Sequence, residues 1–474
     1  MKHRHGFWII IVWLGIACTS CRFVFVPEPG GPPPDLPAAF SIFSEPGDGP
    51  RQWWESFRAP ELNRLVEAAL DNNLDIRQAF SRLQQVRAAA VATGADRSVQ
   101  LDVAADGDMW RQRSDGGADA SLSSGDRYSL GVAAGYEIDL WGRMQSETEA
   151  ARLTAVASRT DLNAAAITVA AEVAVRWAKI IGLRMRRDML EAQRDTNRIY
   201  LELVELRFRK GMVSALDVYQ QRQLVEKVNA QMPLVDRDER LLCNDLAVLV
   251  GKPPGACPGI DRTRLPVPGP IPDAGVPADL LANRPDVRSA GLRLRAAEWQ
   301  LAAARANRLP AIRLSATAAF GPGDLALVFD NWLLDLAASL TAPLYDGHRL
   351  AAEVDRMQAA VQEDLYAYRQ AVYTAIREVE DALVSEHQQR QHIQALQRQV
   401  SAARNALNEA RERYRKGLST YLPVLTQLLS VQSLELDLLQ QQTDLVVDRI
   451  DLYRSLGGTW PDRHDFRPSS QQRS

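Results

Sequence analysis

Histidine and cysteine are scarce in this chain, six and four of 474 residues, and the scarcity removes whole classes of chemistry. His387 and His392 are the one near pair of histidines. A separation of five residues puts them on different faces of a helix, so a metal site is not expected. No glycine-rich loop sits at a strand-to-helix junction where it would cradle phosphate, because "GGPPP" and "PGPIP" are proline-rich and lie elsewhere. No nucleophile is set beside a base, and neither enzyme chemistry nor a cofactor is expected. The formal net charge is only -3, with both signs mixed along the chain, which leaves no basic footprint for nucleic acid. After the first ~20 residues no apolar run approaches the length of a spanning helix. Any other entry into a membrane takes a different route.

The N-terminus, "MKHRHGFWIIIVWLGIACTSC", has a basic start, an apolar stretch from Phe7 to Ala17 and small residues before a cysteine. That is the layout of a bacterial export signal. Leu14-Gly15-Ile16-Ala17-Cys18 has the form of a lipobox, in which Cys18 becomes the lipidated first residue; Cys21 is its rival, and an ordinary signal peptide cut nearby is the plainer alternative. Export places the mature chain in an oxidising compartment, where Cys243 and Cys257 either pair or stay as two thiols.

What is abundant is self-similarity. "RFRKG" at Arg207 to Gly211 returns as "RYRKG" at Arg413 to Gly417, and the following arms end in register at Gly251 and Gly457. "LDIRQAFSRL" from Leu74 lines up with "PDVRSAGLRL" from Pro285. The chain is a tandem duplication of one unit. Its readings divide it into an export signal (1–17), a lipidated extended segment (18–52), repeat one (53–251), a Pro/Gly-rich linker (252–277), repeat two (278–460) and a tail expected to be disordered (461–474).

Each repeat switches period. Apolar residues at helical spacing predict a helix from about Pro60 to Gly94. Then the spacing becomes two: Val99, Leu101, Val103 and Ala105 oppose Gln100, Asp102 and Asp106. After a polar, glycine-rich loop at 114–126, Tyr128, Leu130, Val132, Ala134, Tyr136, Ile138 and Leu140 share one face of the return strand. This predicts a β-hairpin at 98–140, and repeat two offers its counterpart at 311–344. Such alternation fits a transmembrane β-barrel and a soluble half-buried sheet equally; the export signal and the flanking helices favour the barrel. From Gly142 to Lys210 and from Arg349 to Lys416 almost nothing breaks a helix, so two long coiled-coil-like helices are expected. Each turns at glycine and returns, over Leu216–Leu249 and Tyr421–Leu456. Gly211 and Gly417 supply the left-handed geometry that ends a helix, and Ser214 and Thr420 are suited to cap the next one.

Two hairpins contribute four strands, which cannot close a barrel, and open edges in lipid leave backbone groups unpaired. Closure therefore calls for partners, most simply a homotrimer with twelve strands around a wet lumen. The fold class expected is mainly α with a membrane β part.

The residues "YEIDLWGR" (Tyr136 to Arg143), "RPDVRSA" (Arg284 to Ala290), "PLYDGHRLAAEV" (Pro343 to Val354), the opening "WW..F..PEL" and both basic pentapeptides together resemble the TolC-like outer-membrane factors, especially the OprM/NodT lipoprotein branch. The similarity runs in order from about Trp53 to Trp460. It implies a trimeric outer-membrane channel with a periplasmic helical tunnel, the exit duct of a tripartite efflux machine. The implied partners are a periplasmic adaptor, an inner-membrane pump of the RND type and outer-membrane lipid. Export of small solutes or drugs is expected over type I protein secretion; a non-conducting periplasmic scaffold is the reading from another class. By the same resemblance the hairpin tips meet the adaptor, through Arg207, Lys210, Gly211, Val213, Ser214, Arg413, Lys416, Gly417, Leu418, Ser419 and Thr420. Lysine stands in both copies where the family motif has valine. Asp217 and Tyr414 match members of the family's periplasmic gate, with Asp217 accepting from Tyr414 or an arginine, or else standing as a solvated first-turn carboxylate. The entrance ring of acids found in some relatives falls here on Pro423 and Thr426.

Overall fold

The computed structural model describes residues 36–42, 52–116, 119–272, 274–323, 329 and 332–458. The export signal, Cys18, Cys21 and the tail lie outside them. The first repeat runs through a 3-10 turn (Trp53–Phe57), α1 (Pro60–Asn72), α2 (Leu74–Ala95), β1 (Gln100–Gly116), β2 (Asp119–Ile138), α3 (Arg143–Arg209) and α4 (Ala215–Leu249). The second runs through α5 (Asp279–Asn283), α6 (Pro285–Ala306), β3 (Ala311–Gly323), β4 (Trp332–Thr341), α7 (Arg349–Arg415) and α8 (Leu422–Ser455). α3 and α7 are each 67 residues long, about 100 Å at ~1.5 Å per residue.

The contacts divide the chain into two compact units. The first holds 83–158 and 289–369 and contains the sheet. Its strand order is β1-β2-β3-β4 with every neighbour antiparallel, so β1 and β4 each leave one edge unpaired within the chain. Register turns the sequence alternation into a surface. Leu101 faces Ala134, Ala134 faces Ala316 and Ala316 faces Leu336, with Val103–Val132–Ala318–Leu334 on the neighbouring rung of the same face. The opposite face carries Asp102, Ala133, Thr317 and Asp335 on one rung and Glu137 beside Arg313 on another. Both faces of β4 are exposed along its whole length. The first hairpin is longer than expected: residues 114–116 and 119–126, read from composition as loop, continue the ladder as far as Gly116 opposite Asp119. Backbone pairing does not need apolar side chains, so a polar stretch can carry it. Asp139 accepts from the backbone N–H groups of Met144 and Gln145 at the start of α3, and Asp346 does the same for Leu350 in α7.

The second unit holds the described residues of 34–82, 159–288 and 370–458. Its core gathers the fully buried Leu62, Trp177, Ile180, Ile181, Leu246, Leu383, Ile450 and Leu452. The helix expected from Pro60 to Gly94 is two helices, because Asn73 interrupts it. Its carboxamide oxygen accepts from Asp75 and Ile76 N–H, capping α2, while its Nδ2 donates to the Leu249 carbonyl at 3.0 Å. Arg284 stands at the matching place in repeat two, and donates to the Ser455 carbonyl at 2.9 Å. The duplication has kept the contact and changed the donor. Gly251 and Gly457 close the two arms with φ of 73 and 89. A Cβ on Gly251 would stand 2.5 Å from the Asn72 carbonyl, and one on Gly457 3.0 Å from that of Asn283.

The inter-repeat segment is held as a strap. A disulfide joins Cys243 to Cys257, whose Cα atoms are 4.7 Å apart. Glu61 accepts from Trp177 Nε1 with one oxygen and from the Asp261 and Arg262 N–H groups with the other. Arg184 in α3 donates to the Ile260 carbonyl at 2.6 Å, and its counterpart Arg390 in α7 donates to those of Pro268 and Gly269. Arg390 and the buried Arg449 both also bind Glu386, which is fully buried. A carboxylate that deep is tolerated because two guanidinium groups compensate it.

Candidate functional site

Both basic pentapeptides are helix C-termini of one design. In the first, the Gly211 N–H donates to the Phe208 carbonyl and the Met212 N–H to that of Arg207, at 2.8 and 2.9 Å. In the second, Gly417 donates to Tyr414 and Leu418 to Arg413, at 3.1 and 2.9 Å. This crossed pair of bonds is the Schellman motif, and it demands a left-handed residue. Gly211 and Gly417 adopt φ of 70 and 72, with open space where a Cβ would be. Arg207, Arg209 and Lys210, like Arg413, Arg415 and Lys416, lie where a helix end presents unpaired carbonyls, and cations are favoured there. The repeated spelling thus follows from one turn geometry used twice.

Beyond the glycines the two turns differ. Ser214 is the N-cap of α4: its hydroxyl accepts from the Asp217 N–H, and Asp217 accepts in return from the Ser214 N–H at 2.9 Å. This capping box satisfies two orphan donors. Thr420 makes no such cap. α8 starts one residue later, with Tyr421 at the N-cap in right-handed helical geometry and no side-chain bond. Pro423 occupies its first turn, where a missing N–H matters little.

The expected bond between Asp217 and Tyr414 is not formed. Asp217 is turned toward Ser214, to whose N–H and hydroxyl it is bound. Tyr414 is buried among Val204, Leu407, Tyr421 and Leu425, and the Arg207 guanidinium lies 4.3 Å from its ring centre. So the arginine near Tyr414 meets the ring face as a cation on a π surface. The hydroxyl of Tyr414, also buried, has no hydrogen-bond partner among the described residues.

Sequence reasoning missed the polar spine beneath the turns. Tyr421 donates to Gln221 at 2.7 Å, Gln221 Nε2 donates to the Asn197 carbonyl at 2.8 Å, and the Asn197 and Gln432 carboxamides exchange bonds. Gln193 adds a bond to the Gln432 carbonyl. Burial pushes the Tyr421 phenol up, well above its ordinary range. The signal was present: Gln221 sits between Val218 and Leu224 in an apolar stripe, as Asn197 does between Leu190 and Val204. Fully bonded amides in a helical core fix the pairing of the helices more than they add stability.

Among the described residues no group of three or more His, Cys, Asp or Glu is placed to hold a metal ion. No described helix is long and apolar enough to cross a membrane. The sheet is the element with a continuous apolar face and a polar one opposite it.

The sequence profile described as outer membrane efflux protein matches residues 65–252 and 276–458. The chain is 32% identical over 415 residues to the pyoverdine export outer membrane protein OpmQ of Pseudomonas aeruginosa, covering 86% of this chain and 88% of that one. It is 33% identical over 416 residues to the outer membrane protein OprJ of the same species, covering 86% of each. Among solved structures, the outer-membrane channel OprN superposes with a TM-score of 0.83 at 27% identity, over 90% of this chain and 98% of that one.

Proposed function

The chain belongs to the outer membrane efflux protein family, and from that premise we propose that three copies form the outer-membrane exit duct of a tripartite efflux machine. The observation that carries this reading is the sheet: one face apolar across four strands, one face polar, and a free edge on both β1 and β4. Such a sheet is stable in lipid only when other strands satisfy those edges. A copy of the same chain offers a β4 edge to each β1 edge, and three copies give twelve strands with the Asp102, Thr317 and Asp335 face turned to water. Transport is passive. Direction and energy come from an inner-membrane pump, of RND type, joined through a periplasmic adaptor.

The exposed Lys210, Ser214, Lys416, Leu418 and Thr420, with the half-buried Val213, are the proposed adaptor contacts, with Ser419, Arg207, Arg413 and the two glycines setting their geometry. Tyr414 and Asp217 belong to the proposed gate, Tyr414 held by Arg207 of the other turn and Asp217 by Ser214 of its own, and both are free to exchange partners when the turns move. Cys18, or else Cys21, carries the lipid; the mass of the N-terminal peptide from membrane-extracted protein tests that assignment. The cargo is a small solute. The channel itself is tested in planar bilayers: the full-length protein is expected as a heat-labile trimer that conducts ions. A monomer, or a trimer without conductance, overturns the proposal.

A further inference from the structure

A cavity of about 350 Å³ lies within the helical unit between α3, α7 and α8, bordered on one side by Gln193 and Gln432 of the polar spine. Its apolar wall is Met189, Leu407, Leu428 and Val431, and its neutral polar groups are Gln193, Thr196, Asn408 and Gln432, of which Gln193 and Gln432 are already bonded in the spine. Three charged residues line it: Arg404, Arg411 and Glu435. Arg404 and Glu435 are already spent on each other, at 2.5 Å between Nη2 and Oε1. Arg411 is not so engaged. Its guanidinium lies 5.4 Å from the ring centre of Tyr200, and its Nε is buried with no hydrogen-bond partner among the described residues. A buried donor without an acceptor costs about 1–3 kcal/mol, so the site is incomplete as it stands.

We propose that this cavity binds an amphipathic monocarboxylate, its carboxylate on Arg411 and its apolar body against Met189, Leu407, Leu428 and Val431. Two arginines and one glutamate leave a single positive charge, which suits a monoanion and disfavours a dianion such as a phosphate monoester. A guanidinium presents parallel N–H groups that match a carboxylate. The apolar wall selects a hydrophobic body over a small inorganic anion, and the volume falls in the range of small-molecule sites. Because its walls come from three helices, an occupied site ties α7 to α3 and α8. The inference is independent of the channel reading, since it concerns one chain.

The test uses full-length protein in lipid nanodiscs and isothermal titration with 2-naphthoate, with 2-naphthamide as the uncharged isostere and empty nanodiscs as the partitioning control. Saturable binding of one naphthoate per chain is expected, with the amide weaker by about tenfold or more. Arg411→Leu is expected to weaken naphthoate by a similar factor and to leave the amide unchanged. Ala192→Phe, at an exposed position on the rim, is expected to abolish both, and decides the matter if Arg411→Leu does not assemble. The proposal is overturned if acid and amide bind equally, if Ala192→Phe binds as wild type, or if wild type shows no saturable site, the outcome expected were a neighbouring chain to fill the cavity.

Discussion

Glycine at four quasi-equivalent places separates two kinds of demand on a single residue. Gly211 needs only its left-handed φ, whereas Gly251 needs that and the absence of a Cβ against the Asn72 carbonyl. Gly211→Ala is therefore expected to cost about 1–2 kcal/mol, and Gly251→Ala several times more, which thermal unfolding of the two variants in one detergent compares directly. Ser214→Ala removes a capping box and is expected to lose about 1 kcal/mol, visible as faster amide exchange in the first turn of α4. Thr420→Ala, which caps nothing, is expected to change exchange in α8 by less than a factor of about two, near the limit of surface substitutions. His348 holds φ of 65 at the place that Gly142 fills in repeat one. Its ring also meets Tyr345 edge-on at 6.5 Å; even so, His348→Gly is expected to raise stability, by up to about 1 kcal/mol. The left-handed turns were legible in the sequence because so few residues can make them. The Thr420 cap was misjudged because a hydroxyl after a turn is only a local cue, and the helix began one residue beyond it.

Helices declared themselves better than strands. An unbroken run of helix formers allowed α3 and α7 to be placed to within a residue or two, but Asn73 looked like one more polar residue in a helix until its bond to Leu249 was seen. The outer half of the first hairpin reads as loop in the sequence because serine, glycine and aspartate dominate 114–126 and leave no apolar alternation. Asp448 in α8 illustrates what no local pattern reveals. Burial, then Asp444, Asp451 and Glu386 around it, push its carboxyl up to about 6. Arg449, bound to Glu386, is the nearby cation on the same helix. A folded-state pKa above the unfolded value means stability is full below about pH 4 and lost as pH rises through about 6. Since Asp448 is only half-buried, the loss is discounted to about 1 kcal/mol at neutral pH. Asp448→Asn is accordingly expected to unfold at a higher temperature than wild type at pH 7.5 and at the same temperature at pH 4.

At the scale of the assembly, the two sheet faces make opposite demands. Leu336 lies on the apolar face between Ala316 and the free edge of β4. Leu336→Arg places a charge in lipid, at a penalty of about 2–4 kcal/mol near the midplane, and is expected to reduce the fraction recovered as heat-labile trimer. Thr317→Arg, one residue from Ala316 on the other face and opposite Asp335, is expected to leave that fraction unchanged and to lower single-channel conductance to cations. Equal loss of trimer in both variants would mean that the faces are assigned wrongly. This level of organisation is readable in the sequence because alternation, duplication and a strand number too small to close a barrel are properties of pattern rather than of any side chain's neighbours. The polar spine and the Arg411 cavity are not, since each needs three helices in register.

The unequal starts of α4 and α8 carry one more consequence. A three-fold ring of this chain presents six loops of two alternating designs, one locked by a serine and aspartate clasp and one without it. A protein that docks there as six identical molecules meets strong and weak seats in turn, so its saturation curve should resolve into two equal steps.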